Sequence, residues 1–551
     1  MGAAAIYFHP DGFDTSTDRL LGRHSAGESF LRGLIRHGTG SQLHLWNVTG
    51  ASEEKLGELV DRIEPANRPL RWIPQTERAK LSDPGVMHLP TPGMPDEAWR
   101  RLAFGSRRYA ISGITHTTAS ANVMGILPNF LIAPLEDHDA LICTSNAVRA
   151  AVEAQMELMR EYMRGEYGAR RRPEAQRVTI PLGVNCSDFS TSPEHRSGWR
   201  ERLGIPNDAI VALYVGRFNV KAKMNPALMA LALEGAAKRV DAPIYWVNSG
   251  WAENAEADRA YEEETQKLCP SVAFRRVDGR APDVRFSIWS VADFFISFSD
   301  NIQESFGLTP VEAMAAGLPS VVSDWDGYRD TVRNGLDGFS VPTLAPRGGL
   351  GGDLAYWYEN GWLSYPNYIG AAGQYTAIDL RAAEQAIVEL ASNPELRRTM
   401  GAEARAQARR IFDWSAIIPQ YEALWGEQNA RRLAGGSQAS PQGNPYAPDP
   451  FTLFAGYPTR ALSQDDLVTL VDGVSWDVAK ARLAAPLASY SGFNRPRPPE
   501  LEVVVSRLQE LGPATVATLR ALFPPARRPF IERGLIWLAR FNVVEIRQVS
   551  H

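Results

Sequence analysis

The chain is poor in lysine, poor in cysteine and without any long apolar run. Only seven of its 58 basic residues are lysines, and 63 acidic side chains outnumber them for a net charge of −5. That balance provides no broad positive field for nucleic acid, so any anion site must be local. The three cysteines, Cys143, Cys186 and Cys269, are far apart and lack metal-ligand spacing. Their odd number supplies no disulfide framework, which disfavours a disulfide-built secreted scaffold and points to a reducing compartment. No run of about 18 apolar residues occurs, so no segment is expected to span a membrane. The opening MGAAAIYFHPDGFDTS has neither a basic region nor a long apolar one, and Ile6 stands where a myristoylation signal needs Ser or Thr. A cytoplasmic location is expected, with peripheral attachment to a membrane left open.

What is present is length and a regular alternation. A chain of 551 residues exceeds one hydrophobic core and calls for several domains. Short apolar runs such as AAAIYF, SQLHLWNV, RYAISGITHT and DALICTS alternate with amphipathic stretches, and the series restarts at AIVALYVGRF, APIYWVNSG, VADFFISFSD and LPSVVSD. Strand and helix in turn imply an α/β chain of two doubly wound, Rossmann-like domains, at 1–205 and 206–432. The aromatic, glycine-rich stretch 348–375 is long for a plain connection, and packing of its rings on their own domain is favoured over facing an acceptor or a second subunit. A small, polar, proline-rich segment at 433–450 reads as a linker. Beyond it, 451–551 is a mainly helical module in which three helix patterns and a short strand resemble a winged helix. From Glu500 onward it holds seven arginines against five glutamates, a balance too weak for binding phosphate backbones; a protein-interaction or dimerisation role is favoured and no nucleic acid is expected.

Chemistry concentrates in DNIQESFGLTPVEAMAAGLPSVVSD. Thr309, Pro310 and Glu312 have the order of a capping box, with Gly317 ending the helix. On that reading Glu312 only caps. The alternative starts from position, because this helix follows a buried strand of an open sheet, where ligands gather at strand ends. Gly307 and Leu308 then lie at a helix start whose N–H groups suit a phosphate, while Glu304 and Glu312 can accept hydrogen bonds from sugar hydroxyls. A diphosphate needs further cations, and Arg217 and Lys223 flank the end of AIVALYVGRF. Lys221, two residues away, competes with Lys223 for that role.

ESFGLTPVE resembles the Glu-x7-Glu motif of retaining GT-B glycosyltransferases, and VGRFNVKAKMNP and NGLDGF resemble the flanking pattern of glycosyltransferase family 4. The resemblance covers residues 1 to about 430. It implies two Rossmann-like domains facing a cleft, with a closing helix at 413–432. Glu304 is then expected on the donor sugar, Glu312 on the ribose, and Arg217 and Lys223 on the diphosphate, helped by Gly307, Leu308 and Thr309. The turn VDGR, with Gly279 and Arg280, corresponds to the region that binds the base. GRHSAGESFLRGL resembles the family's glycine loop and makes Gly27 its key residue, and His116 in SGITHTTAS takes the place of the histidine that reaches the reacting sugar. The implied reaction is transfer of a sugar from a nucleotide diphosphate donor, UDP first and GDP second, to a glycan, lipid-linked or protein hydroxyl. No cofactor and no metal are expected. A phosphorylase or hydrolase on the same fold, or a binding scaffold acting through the C-terminal module, are the rival readings.

Overall fold

The computed structural model describes residues 2–13, 22–170, 172–435, 443–491 and 495–548. The expected linker at 433–450 falls partly outside them, at 436–442. The apolar runs of the first half become the strands of a seven-stranded parallel sheet. Across it they run in the order Leu70–Pro74, Leu43–Asn47, Ala5–Phe8, Val86–Leu89, Ala110–Thr115, Ala140–Cys143 and Gln176–Thr179. Every residue of Ala110–Thr115 is buried, as a central parallel strand covered on both faces must be.

The second half repeats the plan with six parallel strands, ordered Ala273–Asp278, Ile244–Gly250, Ile210–Val215, Phe294–Ser297, Ser320–Ser323 and Gly338–Val341. In both sheets the chain order reverses between the first strand and the fourth. That reversal opens a crevice at the strand carboxyl ends, and in the second sheet it lies between Ile210–Val215 and Phe294–Ser297.

Both sheets belong to one compact unit, Met1–Asn444, and a single apolar cluster runs through Leu31, Val211, Phe306 and Trp414. The expected closing helix spans Trp414–Ala434. Its buried face serves the first sheet's domain. The Trp414 indole N–H donates to Ser29 Oγ at 2.7 Å, and Gln428 donates to the carbonyls of Ile111 and His138 at 3.0 and 3.1 Å. Gly33 and Gly183 press on the Trp414 ring so closely that a Cβ on either would stand 2.5 Å from it. The aromatic stretch expected as a long connection instead forms two short helices, Gly352–Glu359 and Tyr365–Gly373.

The second unit, Pro445–His551, has its own core around Val468, Val505, Leu519 and Leu535. The three helix patterns appear as Pro498–Leu511, Val516–Ala521 and Arg528–Arg540, followed by the strand Val544–Arg547. That strand pairs with Leu467–Leu470, ahead of the helices, in a three-stranded antiparallel sheet. The sheet is thus completed from the amino-terminal side of the unit.

Candidate active site

The site is built at the crevice of the second sheet. After Ile210–Val215 the chain passes Gly216, whose carbonyl oxygen lies 1.8 Å from where a Cβ on Gly250 would stand. Only glycine at 250 permits that approach. The loop beyond is held by Asn219, whose Oδ1 accepts the N–H groups of Lys221 and Ala222 at 3.0 and 2.9 Å. Arg217 is half-buried, and its guanidinium makes no hydrogen bond or ion pair with any described residue. Lys223, by contrast, pairs with Glu304, Nζ to Oε2 at 3.0 Å. Lys221 donates outward to Asn367 Oδ1 at 2.9 Å. The structure thereby brings Lys223, rather than Lys221, to the glutamate.

The capping box does not form. The helix spans Leu308–Ala316 with Gly307 as its N-cap, at φ +87° and with no side-chain hydrogen bond to the first turn. Thr309 is already inside the helix and Glu312 lies beyond the position a box requires. The cause is local: Tyr328 presses on Gly307, where a Cβ would stand 2.1 Å from its ring. The chain must therefore turn through a left-handed glycine, which has no side chain to cap with. The first-turn N–H groups at Leu308 and Thr309 are left without a cap, an arrangement suited to an anion. Gly317 ends the helix in the left-handed conformation, as read from the sequence. Glu312 is half-buried beside Arg285 and Leu308, and also lines a small cavity with Arg32 and Asn185 of the first half. Burial pushes its carboxyl up, and Arg285 offsets this only in part.

From the first sheet, His116 follows strand Ala110–Thr115, and its carbonyl accepts Ser305 Oγ at 2.6 Å. Thr144 Oγ1 donates to the Ser305 carbonyl at 3.3 Å. These bonds set His116 against the residue that follows Glu304. Burial pulls the His116 imidazole down to about 4, so it is neutral at pH 7. Beside it a cavity of about 500 Å³ is lined by His9, Phe13, Gly27, Phe30, His88 and His116 among others. Gly27 lies on the helix Gly22–His37 instead of in a loop, where a Cβ would meet the Gly12 carbonyl oxygen at 2.1 Å. Residues 14–21 of that region lie outside the described residues.

Gly279 and Arg280 sit at the end of the edge strand Ala273–Asp278. Arg280 is exposed and held by Asp278, Nη2 to Oδ2 at 2.6 Å. It forms no hydrogen bond or ion pair with Glu304 or Glu312. Two carboxylates at the crevice escaped the sequence reading. Burial raises Asp300 to about 7; it accepts the N–H of Asn225 at 3.3 Å. Asp326 has φ +43°, and burial, followed by the charge of Glu304, raises it to about 8. Asp300 ends VADFFISFSD and was within reach of the strand-end rule; Asp326 is revealed only by its backbone and its neighbours. Among the described residues, Glu136, Asp137 and His138 are close enough together to hold a metal, and Arg107 already pairs with Glu136 at 3.0 Å. A guanidinium without a partner among the described residues, a helix end without a side-chain cap and a glutamate–lysine pair together can hold a phosphorylated ligand that also carries hydroxyls.

Residues 195–347 match the family model described as glycosyl transferases group 1. Over 172 residues the chain is 31% identical to a D-inositol 3-phosphate glycosyltransferase of Geodermatophilus obscurus, covering 31% of this chain and 37% of that one. A protein of the same name from Streptomyces griseus is 28% identical over 48% of this chain and 52% of its own length. A phosphatidyl-myo-inositol mannosyltransferase of Mycobacterium tuberculosis is 25% identical over 65% of this chain and 80% of its own. The chain thus spans about half or less of the first two relatives. Among solved structures, sucrose-phosphate synthase from Thermosynechococcus elongatus aligns with a TM-score of 0.47 at 18% identity, over 78% of this chain and 100% of that one.

Proposed function

For a chain that resembles the GT-B glycosyltransferases of family 4, with residues 195–347 matching glycosyl transferases group 1, we propose transfer of a sugar from a nucleotide diphosphate donor to an acceptor hydroxyl, with retention of anomeric configuration. The observation that carries this reading is that Arg217, without a side-chain partner among the described residues, and the uncapped start of Leu308–Ala316 border one crevice, together with the Lys223–Glu304 pair. The slow step is departure of the diphosphate. Arg217, Lys223 and the amides of Leu308 and Thr309 meet the charge that grows on it, and losing one such contact typically costs about 3 kcal/mol of barrier. Glu304, held by Lys223 at 3.0 Å, accepts from sugar hydroxyls as Lys223 turns toward phosphate. Glu312 accepts from the ribose, and Gly279 and Arg280 border the base. Neutral His116 offers one ring N–H or one lone pair to the sugar and carries no charge near pH 7. The acceptor enters through the cavity beside His116. UDP is the first donor nucleotide to test and GDP the second, and relatives named for inositol acceptors make a polyol the first acceptor to try. The chemistry runs on protein cations without a metal.

The test is a thermal-shift screen against UDP-glucose, UDP-N-acetylglucosamine and GDP-mannose, followed by turnover in EDTA with and without a polyol. Arg217→Ala is expected to lower turnover at saturating donor by at least about tenfold with an unchanged melting temperature. An unaltered rate counts against the role of Arg217. Release of free sugar with no acceptor dependence replaces transfer by hydrolysis.

A further inference from the structure

The side chains of the two helices Gly352–Glu359 and Tyr365–Gly373, and of the turn between them, fall into two sets. Tyr356, Trp357 and Trp362 are exposed, whereas Ile369 is fully buried and Tyr358 and Tyr368 stack face to face with ring centres 4.2 Å apart. The inner set touches both walls of the crevice. The Tyr365 hydroxyl donates to Gln303 Oε1 at 2.8 Å. With its one proton committed there, it accepts from Thr117 Oγ1 at 3.5 Å. Gln303 passes the connection on, donating through Nε2 to the Ala222 carbonyl at 2.8 Å. Tyr358 Oη accepts the Ala121 N–H at 2.9 Å. On the opposite side Asn367 accepts from Lys221, and Gly370 lies so close that a Cβ would stand 3.0 Å from the Lys221 side chain.

The three residues linked through Tyr365 are chain neighbours of site residues. Thr117 follows His116, Ala222 precedes Lys223, and Gln303 precedes Glu304. We propose that the hairpin 352–373 sets the register of the two halves of the site, with Tyr365 a positioning residue that ties His116 to Glu304 and Lys223, and Tyr358 holding the first-domain loop in place; the catalytic part of this rests on the glycosyl transfer proposed above. Had the hairpin served only to cover its own domain, its hydroxyls would bond there. Instead Tyr358 and Tyr365 both reach Thr117–Ala121, in the other half of the cleft. Among the described residues, the halves are also joined beside the site by the bonds of Ser305 with His116 and Thr144 and of Asn146 with Asp330. A third tie matters because a displacement of about 1 Å at a reacting centre can lower a rate about a hundredfold.

Tyr365→Phe keeps the ring and removes the hydroxyl. In the free protein, amide hydrogen exchange is expected to speed up about fivefold in the peptides holding 117–122 and 301–305, with an unchanged melting temperature. Affinities for UDP and GDP stay within about twofold, while nucleotide release from UDP-glucose or GDP-mannose falls about tenfold at saturating donor. Tyr358→Phe is expected to speed exchange at 117–122 alone, and serves as the second variant if Tyr365→Phe folds poorly. Exchange unchanged in both variants overturns the proposal, as does faster exchange with undiminished turnover. Parallel losses of melting temperature, nucleotide affinity and turnover overturn it in favour of simple packing. A wild-type protein that consumes none of the donors defeats glycosyl transfer, and the exchange arm still decides whether the hairpin sets the register.

Discussion

At the scale of single residues, Glu312 is where the structure most changes the expected chemistry. A capping glutamate loses about 1 kcal/mol of helix stability when neutralised, but Gly307 occupies the cap and Glu312 has no such duty. Its carboxyl is raised by burial, so the folded state holds its proton more tightly than the unfolded one. That stability is present below the unfolded value and is lost as pH rises through the folded one. Glu312→Gln is therefore expected to weaken nucleotide binding while the melting temperature at pH 8 stays level or rises; a fall of several degrees restores the capping role. Asp326 obeys the same sign. Raised to about 8 beside Glu304 and Asp330, with the Gly327 N–H opposing, it should make the protein less stable as pH climbs from about 6.5 to about 8.5, by about 1–2 kcal/mol. His88 and His116, pulled down to about 3 and about 4, contribute in the opposite sense only below their unfolded value near 6.5. Asn tolerates the left-handed backbone at 326, so Asp326→Asn is expected to flatten the alkaline slope; an unchanged slope in melting curves refutes the assignment.

At the scale of elements, the helix Leu308–Ala316 is short and weakly amphipathic, and its worth lies in its amino end. Two constraints meet at Gly307: a left-handed backbone and the ring of Tyr328. Gly307→Ala violates both, and a loss of about 2–4 kcal/mol is expected from strain and overlap together, read as a lowered denaturation midpoint. A loss under about 0.5 kcal/mol would show that the ring moves aside freely. The turn residues around this helix were legible because glycine and proline punctuate local structure whatever surrounds them. The capping box was misread because a Thr-Pro-x-Glu order signals a cap only if the chain enters extended. Tyr328, remote in the chain but packed against Gly307, forbids that entry. In the same way the 348–375 stretch looked like a loop because its helices are too short and too aromatic to show a helical period; they are held by stacking and by bonds to other elements.

For the molecule as a whole, the separation into Met1–Asn444 and Pro445–His551, each with its own core, carries a direct consequence. A chain ended at Asn444 is expected to fold cooperatively and to bind UDP within about twofold of the whole protein. Calorimetry checks this, and a truncated chain that aggregates contradicts it. Sedimentation of the two forms tests the interaction role proposed for the C-terminal unit, since self-association should disappear with it. Within the first unit the two sheets are not independent. The closing helix leaves the second and builds its buried face into the first, through Trp414 between Gly33 and Gly183.

Alternating apolar runs by themselves determined the doubly wound plan and where the strands end, because burial on both faces of a parallel sheet leaves no freedom in composition. Strand ends in turn pointed to Arg217, Lys223, Glu304 and the start of the helix after Gly307. Only the tertiary structure decided which lysine meets Glu304, that Glu312 caps nothing, and that Asp300 and Asp326 hold raised carboxyls. It alone joined Tyr365 to both walls. These are matters of distance between segments remote in the chain, and a pattern of neighbours along a sequence holds no record of separations across a crevice.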